Sequence, residues 1–413
     1  MNLPLDLEYY PKISEEILKK NAEIITKNME KWSKPFFMDV YSYSDLDEFR
    51  KVAAPFLNDQ NLENLIILGT GGSIQTALTL SKLFKKKFYP IVSSRPEELV
   101  NVLSDCPPEK SLVIPISRGG KTLDVNSTLT LFRDYPMLAL SSQGPMYEYL
   151  KKQDIPILPV PDLSGRFAAS ICSVGLIPSL IAGVNVDEFL NSLAESYSVF
   201  KDLHDTEENL ALHYASLLKM LYNKGYTNIF NMPYSVYLEG AAGLFVQEIS
   251  ESSGKKEQGL LGTYQPAPLC QHSVLELLLG GKKGHTSPFI WTTLNEPQDI
   301  EINSTEFGLV NQTALNIIKN QADATFQALI GQNIPVSKIE LYNISEESYA
   351  SLIAFIQSTV YYFCMLLDVN WANNPLVVTG KEICNEAIKE GKTRSQRKQD
   401  REELAEKKYT NFL

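Results

Sequence analysis

The sequence predicts an α/β protein with two doubly wound parallel sheets, an N-terminal helical arm and a C-terminal helix. Three observations predict it. Short apolar runs end in glycine-bearing turns that open helical stretches, this order repeats between residues 61 and 186, and it resumes between residues 226 and 375. Repeated alternation of that kind sets strands side by side in parallel with helices on both faces.

Residues 1–60 read as polar, amphipathic helices, an arm more than a domain. The first α/β domain, 61–186, begins with the run Leu65-Ile66-Ile67-Leu68, passes through Gly69-Thr70-Gly71-Gly72-Ser73 and continues as a helix towards Phe84. Leu112 to Ile116 then leads through Ser117-Arg118-Gly119-Gly120-Lys121-Thr122 into another helix, and Met137 to Ser141 and Ile155 to Val160 supply further strands. A polar helical linker covers 187–225. The second α/β domain, 226–375, offers strands at Thr227 to Asn231, Phe289 to Thr293 and Ile339 to Ile344. The tail, 376–413, mixes both charge signs over a helical length and reads as a helix on the surface or on a partner.

One helix carries a distinctive carboxylate. Leu238, Ala242, Phe245 and Ile249 recur at helical spacing and form a core face, whereas Gln247 and Glu251 project from nearly the opposite side. Gly240 and Gly243 line that side, where they let another backbone or a ligand approach closely. A carboxylate held at such a cleft can move a proton on carbon.

Composition excludes several classes. A length of 413 residues exceeds one ordinary core, and 44% hydrophobic with 21% charged residues is the balance of a soluble globular protein. A formal charge of −11 argues against nucleic acid as a partner, so an anionic ligand must be held by local groups. Met1 to Lys12 lacks a basic region followed by an apolar run, so no secretory signal is expected. The apolar stretch Ile171 to Val186, taken as the longest, contains Pro178 and falls short of a span, so no membrane association is expected. The five cysteines show no CxxC spacing, which fits reduced thiols in the cytoplasm. His204 and His213 sit in a polar helical stretch as bystanders. His272 opens an apolar helix, as a cap neighbour or as an imidazole facing a substrate oxygen. His272 and His285 lack metal-ligand spacing, and neither a catalytic metal nor a cofactor is expected.

Two turns suit an anion. The first lacks the third glycine of a dinucleotide fingerprint, since Ile74 stands there, but it keeps a helix N-terminus and the Ser73 hydroxyl. The second lacks the leading glycine of a Walker A loop, since Pro115 stands there. Ser117, Thr122, the Gly119 and Gly120 amides and a cation from Arg118 or Lys121 still make a phosphate nest. Both turns leave the carboxyl ends of strands, the edge along which open α/β sheets bind ligands. Arg166, in Ser164-Gly165-Arg166-Phe167, follows a third strand end; a surface salt bridge is its alternative role.

Together these segments resemble the phosphoglucose isomerase family, aldose–ketose isomerases built from two sugar-isomerase (SIS) domains, over residues 60 to 385 or so. The family's Gly-x-Gly-Gly-Ser turn is similar to Gly69–Ser73, its phosphate loop to Ser117–Thr122, and its Gly-Gly-Arg-Phe/Tyr segment to 164–167 followed by Ser173-Val174-Gly175-Leu176. Its signature Gln-x-x-x-Glu-Ser-x-Gly-Lys matches Gln247, Glu251, Ser252, Gly254 and Lys255. Gln271-His272-Ser273 resembles its histidine segment, and Val378-Thr379-Gly380-Lys381 its lysine segment.

The resemblance implies interconversion of glucose 6-phosphate and fructose 6-phosphate through a cis-enediol, as in glycolysis and gluconeogenesis. It implies Glu251 as the proton shuttle, Arg166 as the stabiliser of the enediolate oxygen, and Lys381 and His272 as the groups that open the sugar ring. It further implies Ser73, Ser117, Thr122, Gly119, Gly120 and Lys121 around the substrate phosphate, with Gln247 and Gly72 beside the sugar. The histidine comes from the neighbouring subunit in the family, which implies a homodimer with His272 contributed across the interface. The loop departs from the family pattern at Arg118, Gly119 and Lys121, losing one hydroxyl donor, and Thr379 replaces an acidic residue. Mannose 6-phosphate remains an alternative substrate, and a non-catalytic phosphosugar-binding regulator is the alternative class. Such a regulator has no use for Glu251, Arg166, His272 and Lys381 together.

Overall fold

The computed structural model describes residues 3–163 and 165–409. The chain opens with a strand, β1 (Leu5–Tyr10), followed by the helix Glu15–Met29, whose first turn is capped by the Ser14 side chain accepting from the Ile17 amide. The first sheet comprises β2 (Asn64–Leu68), β3 (Lys87–Ile91), β4 (Ser111–Pro115), β5 (Ala139–Leu140) and β6 (Ile157–Leu158). β3, β2 and β4 run parallel in that order, β5 and β6 pair in parallel, and the bridges Val113–Met137 and Ile116–Leu140 join the two groups. β2 and β4 are buried along their whole length, as strands covered by helices on both faces must be.

The second sheet uses β7 (Asn228–Pro233), β8 (Leu261–Tyr264) and β9 (Thr286–Thr293); a hairpin of β10 (Glu301–Ser304) and β11 (Leu309–Thr313) precedes β12 (Val336–Leu341). Its order is β1-β12-β9-β7-β8, parallel except for β1, which runs antiparallel to β12. The structure thus corrects two expectations. The N-terminal arm is not wholly helical, because Leu5 and Tyr9 alternate into the core and the segment completes the edge of the distant sheet. For the same reason that sheet is mixed, not purely parallel. β3 and β8 were also missed: β3 is a partly exposed edge strand containing a lysine and a proline, and β8 has four residues.

The two sheets share their helices. Glu346–Leu367 packs against Glu15–Met29, Val186–Lys201, Leu210–Asn223 and Glu239–Ser253. This helix, and not the stretch around Pro178, is the long apolar segment: 22 residues, long and apolar enough to cross a membrane by composition, with its apolar window wholly buried inside the fold. A helix apolar on every side reads that way when other helices surround it. The chain up to Ala372 forms one unit, so the sheets do not separate into independently packed domains. Asn373 onward forms a second unit with helices Val378–Lys389 and Arg394–Tyr409, joined locally by Lys392 to Asp400 at 3.0 Å. The tail residues 410–413 lie outside the described residues.

Candidate active site

The helix Glu239–Ser253 rises from the carboxyl end of β7 and lies against Gly72–Leu80, the helix that follows β2. Gly240 and Gly243 are the reason it can. A Cβ on Gly240 would stand 2.4 Å from the Leu78 carbonyl oxygen, and one on Gly243 would stand 3.1 Å from Gln75 Oε1. Gly240 therefore admits a backbone, the first of the two roles the glycine pattern allowed, whereas Gly243 faces a side chain.

That contact brings the first glycine turn onto the carboxylate. Gly71 has a φ of +59°, and a Cβ there would meet Gln247 Nε2 at 3.4 Å. Gly72 abuts the segment after β6: an added Cβ would lie 2.7 Å from the Arg166 amide nitrogen. Arg166, on the short helix Gly165–Ala168, is only 5% exposed and reaches Glu251 with Nη1 to Oε1 at 2.9 Å. Its Nη2 donates to the Trp371 carbonyl at 3.0 Å. Gln247 Nε2 donates to the other Glu251 oxygen at 3.1 Å, and Gln247 Oε1 is buried without a hydrogen-bond partner. Arg166 is no surface salt bridge: it is buried, and Glu251, 18% exposed, is met by Arg166 on one carboxylate oxygen and by Gln247 on the other. Ser164, which precedes this segment, lies outside the described residues.

The second turn starts one strand away. Leu68 of β2 pairs with Pro115 of β4, so the two turns leave the same edge of the sheet as neighbours. Ser117 is buried, its Oγ sits 2.8 Å from Thr122 Oγ1, and its carbonyl accepts from Ser141 Oγ at 2.7 Å. Gly120 takes a φ of +61° where an added Cβ would strike the Gln143 carbonyl, whereas a Cβ on Gly119 would meet nothing within 4 Å. Of the two loop cations, Arg118 is paired to Asp162 and Lys121 is exposed. Ser73 stands in the first turn of its helix, half-buried.

Two further expected residues are exposed. His272 ends the short turn Leu269–His272 beyond β8 and is exposed. Lys381 lies exposed on Val378–Lys389 of the C-terminal unit. Lys255, the last residue of the signature, donates to the Glu251 carbonyl at 3.2 Å and to the Ser252 carbonyl, closing the helix C-terminus. Burial pulls its ammonium down to about 8. Among the described residues no group of three His, Cys, Asp or Glu side chains is placed to hold a metal ion.

Sequence reasoning missed Glu248 and Gln357. Glu248 is fully buried, with Oε1 accepting from Gln357 Nε2 at 3.1 Å, and burial pushes its carboxyl up to about 8. The signal was present: an acid standing inside the apolar stripe of one helix, and a glutamine inside a long apolar helix.

No protein-family model matches the chain. It is 26% identical to the glucose-6-phosphate isomerase of Methanocaldococcus jannaschii, over 86% of this chain and 90% of that protein. It is 24% identical to the glucose-6-phosphate isomerase of Thermus thermophilus, over 94% of this chain and 99% of that protein. Among solved structures it is similar to a hypothetical protein of Thermus thermophilus, with a TM-score of 0.82, 22% identity, and coverage of 93% of this chain and 100% of that one. It is also similar to a glucose-6-phosphate isomerase from Chlamydia trachomatis, with a TM-score of 0.74, 19% identity, and coverage of 96% and 91%.

Proposed function

We infer that this chain, a homologue of archaeal and bacterial glucose-6-phosphate isomerases, is an aldose–ketose isomerase that interconverts glucose 6-phosphate and fructose 6-phosphate. The observation that carries the site is the buried contact of Arg166 with Glu251, with Gln247 on the other carboxylate oxygen. On the open-chain aldose, Glu251 takes the proton from C2, the C2–H electron pair becomes the C1–C2 double bond, and the carbonyl oxygen gains negative charge. Arg166 offsets that charge, because a fixed guanidinium in a pocket poor in water gains most where charge develops. The proton of the C2 hydroxyl passes to the C1 oxygen, and the now protonated Glu251 returns its proton to C1 with the double-bond electron pair, leaving C2 as the ketone and C1 bearing the hydroxyl.

The supporting parts have separate tasks in this reading. Ser73, Ser117, Thr122, the Gly119 and Gly120 amides and Lys121 hold the phosphate, and the exposed Lys121 replaces the hydroxyl that Gly119 lacks. Gln247 and Gly72 border the sugar. His272 and Lys381 open the ring, with His272 supplied by the partner of a homodimer, for which its exposure leaves room. Five free thiols suit a cytoplasmic setting.

The test is conversion of fructose 6-phosphate, read as glucose 6-phosphate, by the wild type and Glu251→Gln. Loss of the shuttle lowers kcat by about 10²–10⁴. A wild type that binds the phosphosugar without turning it over ends the enzyme reading, and a variant with near-full activity removes Glu251 from its role.

A further inference from the structure

Behind the Arg166–Glu251 contact lies a second carboxyl that the mechanism does not use. Glu248 precedes Glu251 by three residues, so both project from one side of the helix, and Glu248 is completely shielded from solvent. Its Oε1 accepts from Gln357 Nε2, while Oε2 is buried with no hydrogen-bond partner. The same Gln357 amide faces the carbonyl oxygens of Arg166 and Phe167, each at 3.5 Å. Gln357 Oε1 in turn accepts from the Tyr197 hydroxyl and from Ser170 Oγ. Gln357, Tyr197 and Ser170 are all fully buried. The network thus runs from a core helix to the backbone of the residue that grips the base.

We propose that Glu248 is a positioning residue for the isomerisation: its carboxyl holds Gln357, and Gln357 holds the Arg166–Phe167 backbone, so that the guanidinium meets Glu251 and the enediolate oxygen in one fixed place. The inference rests on the isomerase reading and on Arg166 as its oxyanion partner. It fits the cost of the alternative. A buried glutamine amide whose acceptor is deleted keeps an unsatisfied donor, and the backbone it braced is free to drift. A misplacement near 1 Å lowers a rate by about 10²-fold.

The carboxyl also has to remain neutral. Desolvation holds its proton, the Arg166 charge opposes this, and the Glu251 charge reinforces it. An ionised Glu248 competes with Glu251 for the same guanidinium, which the orphaned Arg166 Nε shows is not fully engaged. The other titratable groups around it are Tyr197, Cys364 and Lys255. Burial keeps the tyrosine and the thiol neutral, but Lys255 titrates near the same pH. Alkaline loss of activity therefore has two candidate sources, which substitution separates.

The experiment measures kcat and KM for fructose 6-phosphate from pH 6 to pH 9 in the wild type, Glu248→Leu, Glu248→Gln and Gln357→Leu. Glu248→Leu is expected to lose about 10–100-fold in kcat with KM changed less than threefold. Gln357→Leu is expected to match it, and the double variant to lose little more than either alone. Glu248→Gln restores an acceptor without a charge, so it recovers most of the loss, and whatever alkaline fall in kcat persists in it belongs to Lys255. Glu248→Leu with wild-type kcat, or a Glu248→Gln variant no more active than Glu248→Leu, overturns the proposal. If the leucine variants do not fold, Gln357→Asn decides it: the amide is kept but is one methylene too short to reach from Glu248 to the Arg166–Phe167 backbone, and wild-type kcat in that variant overturns the proposal. An inactive wild type would instead overturn the isomerase reading, which these outcomes leave distinct.

Discussion

Replacing Gly72 with alanine tests whether the first glycine turn positions the arginine. A Cβ at Gly72 would stand 2.7 Å from the Arg166 amide nitrogen, 2.8 Å from its Cα and 2.9 Å from the Gly165 carbonyl carbon, where ordinary contact begins at 3.4 Å. All three atoms are backbone, so the Gly165–Ala168 helix has to move by about 0.7 Å, the gap between 2.7 Å and 3.4 Å, to relieve the overlap. A shift of that size carries the 2.9 Å contact to Glu251 and the 3.0 Å bond to Trp371 past good hydrogen-bond length. Overpacking of this kind costs about 1–3 kcal/mol. The misplaced guanidinium lowers kcat by about 10–100-fold. KM changes less, because Ser117 and Thr122 stand on the other turn. Two variants on the glutamate helix serve as controls. Gly243→Ala meets only the far end of Gln75 at 3.1 Å and gains up to about 1 kcal/mol of helix propensity. Gly240→Ala strikes the Leu78 backbone at 2.4 Å, so it loses stability and also moves the helix that carries Glu251. Steady-state conversion of fructose 6-phosphate and thermal melts, run on all three, read both effects. A Gly72→Ala enzyme with wild-type kcat, or a kcat loss that Gly243→Ala reproduces, refutes the reasoning.

Three further outcomes are expected. Gly119→Ser has open space for its side chain and adds a hydroxyl to the phosphate loop, so KM for fructose 6-phosphate falls, by about tenfold if one charge-assisted hydrogen bond is gained; an unchanged KM places the phosphate elsewhere. Glu248 keeps its proton in the folded chain from its ordinary 4.5 up to about 8, so its contribution to stability is full below pH 4.5 and is lost as pH rises to about 8. Urea unfolding of Glu248→Gln, which cannot ionise, loses that pH dependence, and the variant gains up to about 4 kcal/mol on the wild type between pH 5 and pH 8; parallel curves contradict the burial argument. Among the described residues Cys384 is the exposed thiol and Cys106, Cys172, Cys270 and Cys364 are buried, so alkylation of the native protein followed by peptide mapping modifies Cys384 first.

The parts of this molecule that were legible in its sequence are those where a local pattern and its three-dimensional use coincide. β2 and β4 are continuous apolar runs closed by glycine turns, and such runs have few structures open to them other than buried parallel strands. Glu251 and Gln247 are one helical turn apart, so their meeting on one carboxylate was already in the spacing. β1 was not legible, because its partner β12 lies more than 300 positions away, Leu5 pairing with Leu341, and the six residues carry no turn signal of their own. The helix Glu346–Leu367 was not legible as the centre of the fold, since its lack of a polar face removes the periodicity by which helices are recognised. Glu248 shows the limit most clearly. Its neighbours in the chain mark it as misplaced, an acid between Phe245 and Ile249, but what makes it tolerable is Gln357, 109 positions away on a different, largely apolar helix. Local reading finds residues that act at the surface of a fold through their spacing. Residues that act from inside it become visible only when the distant partner that satisfies them is in place, which is why the proposed base was named from the sequence and the acid behind it was not.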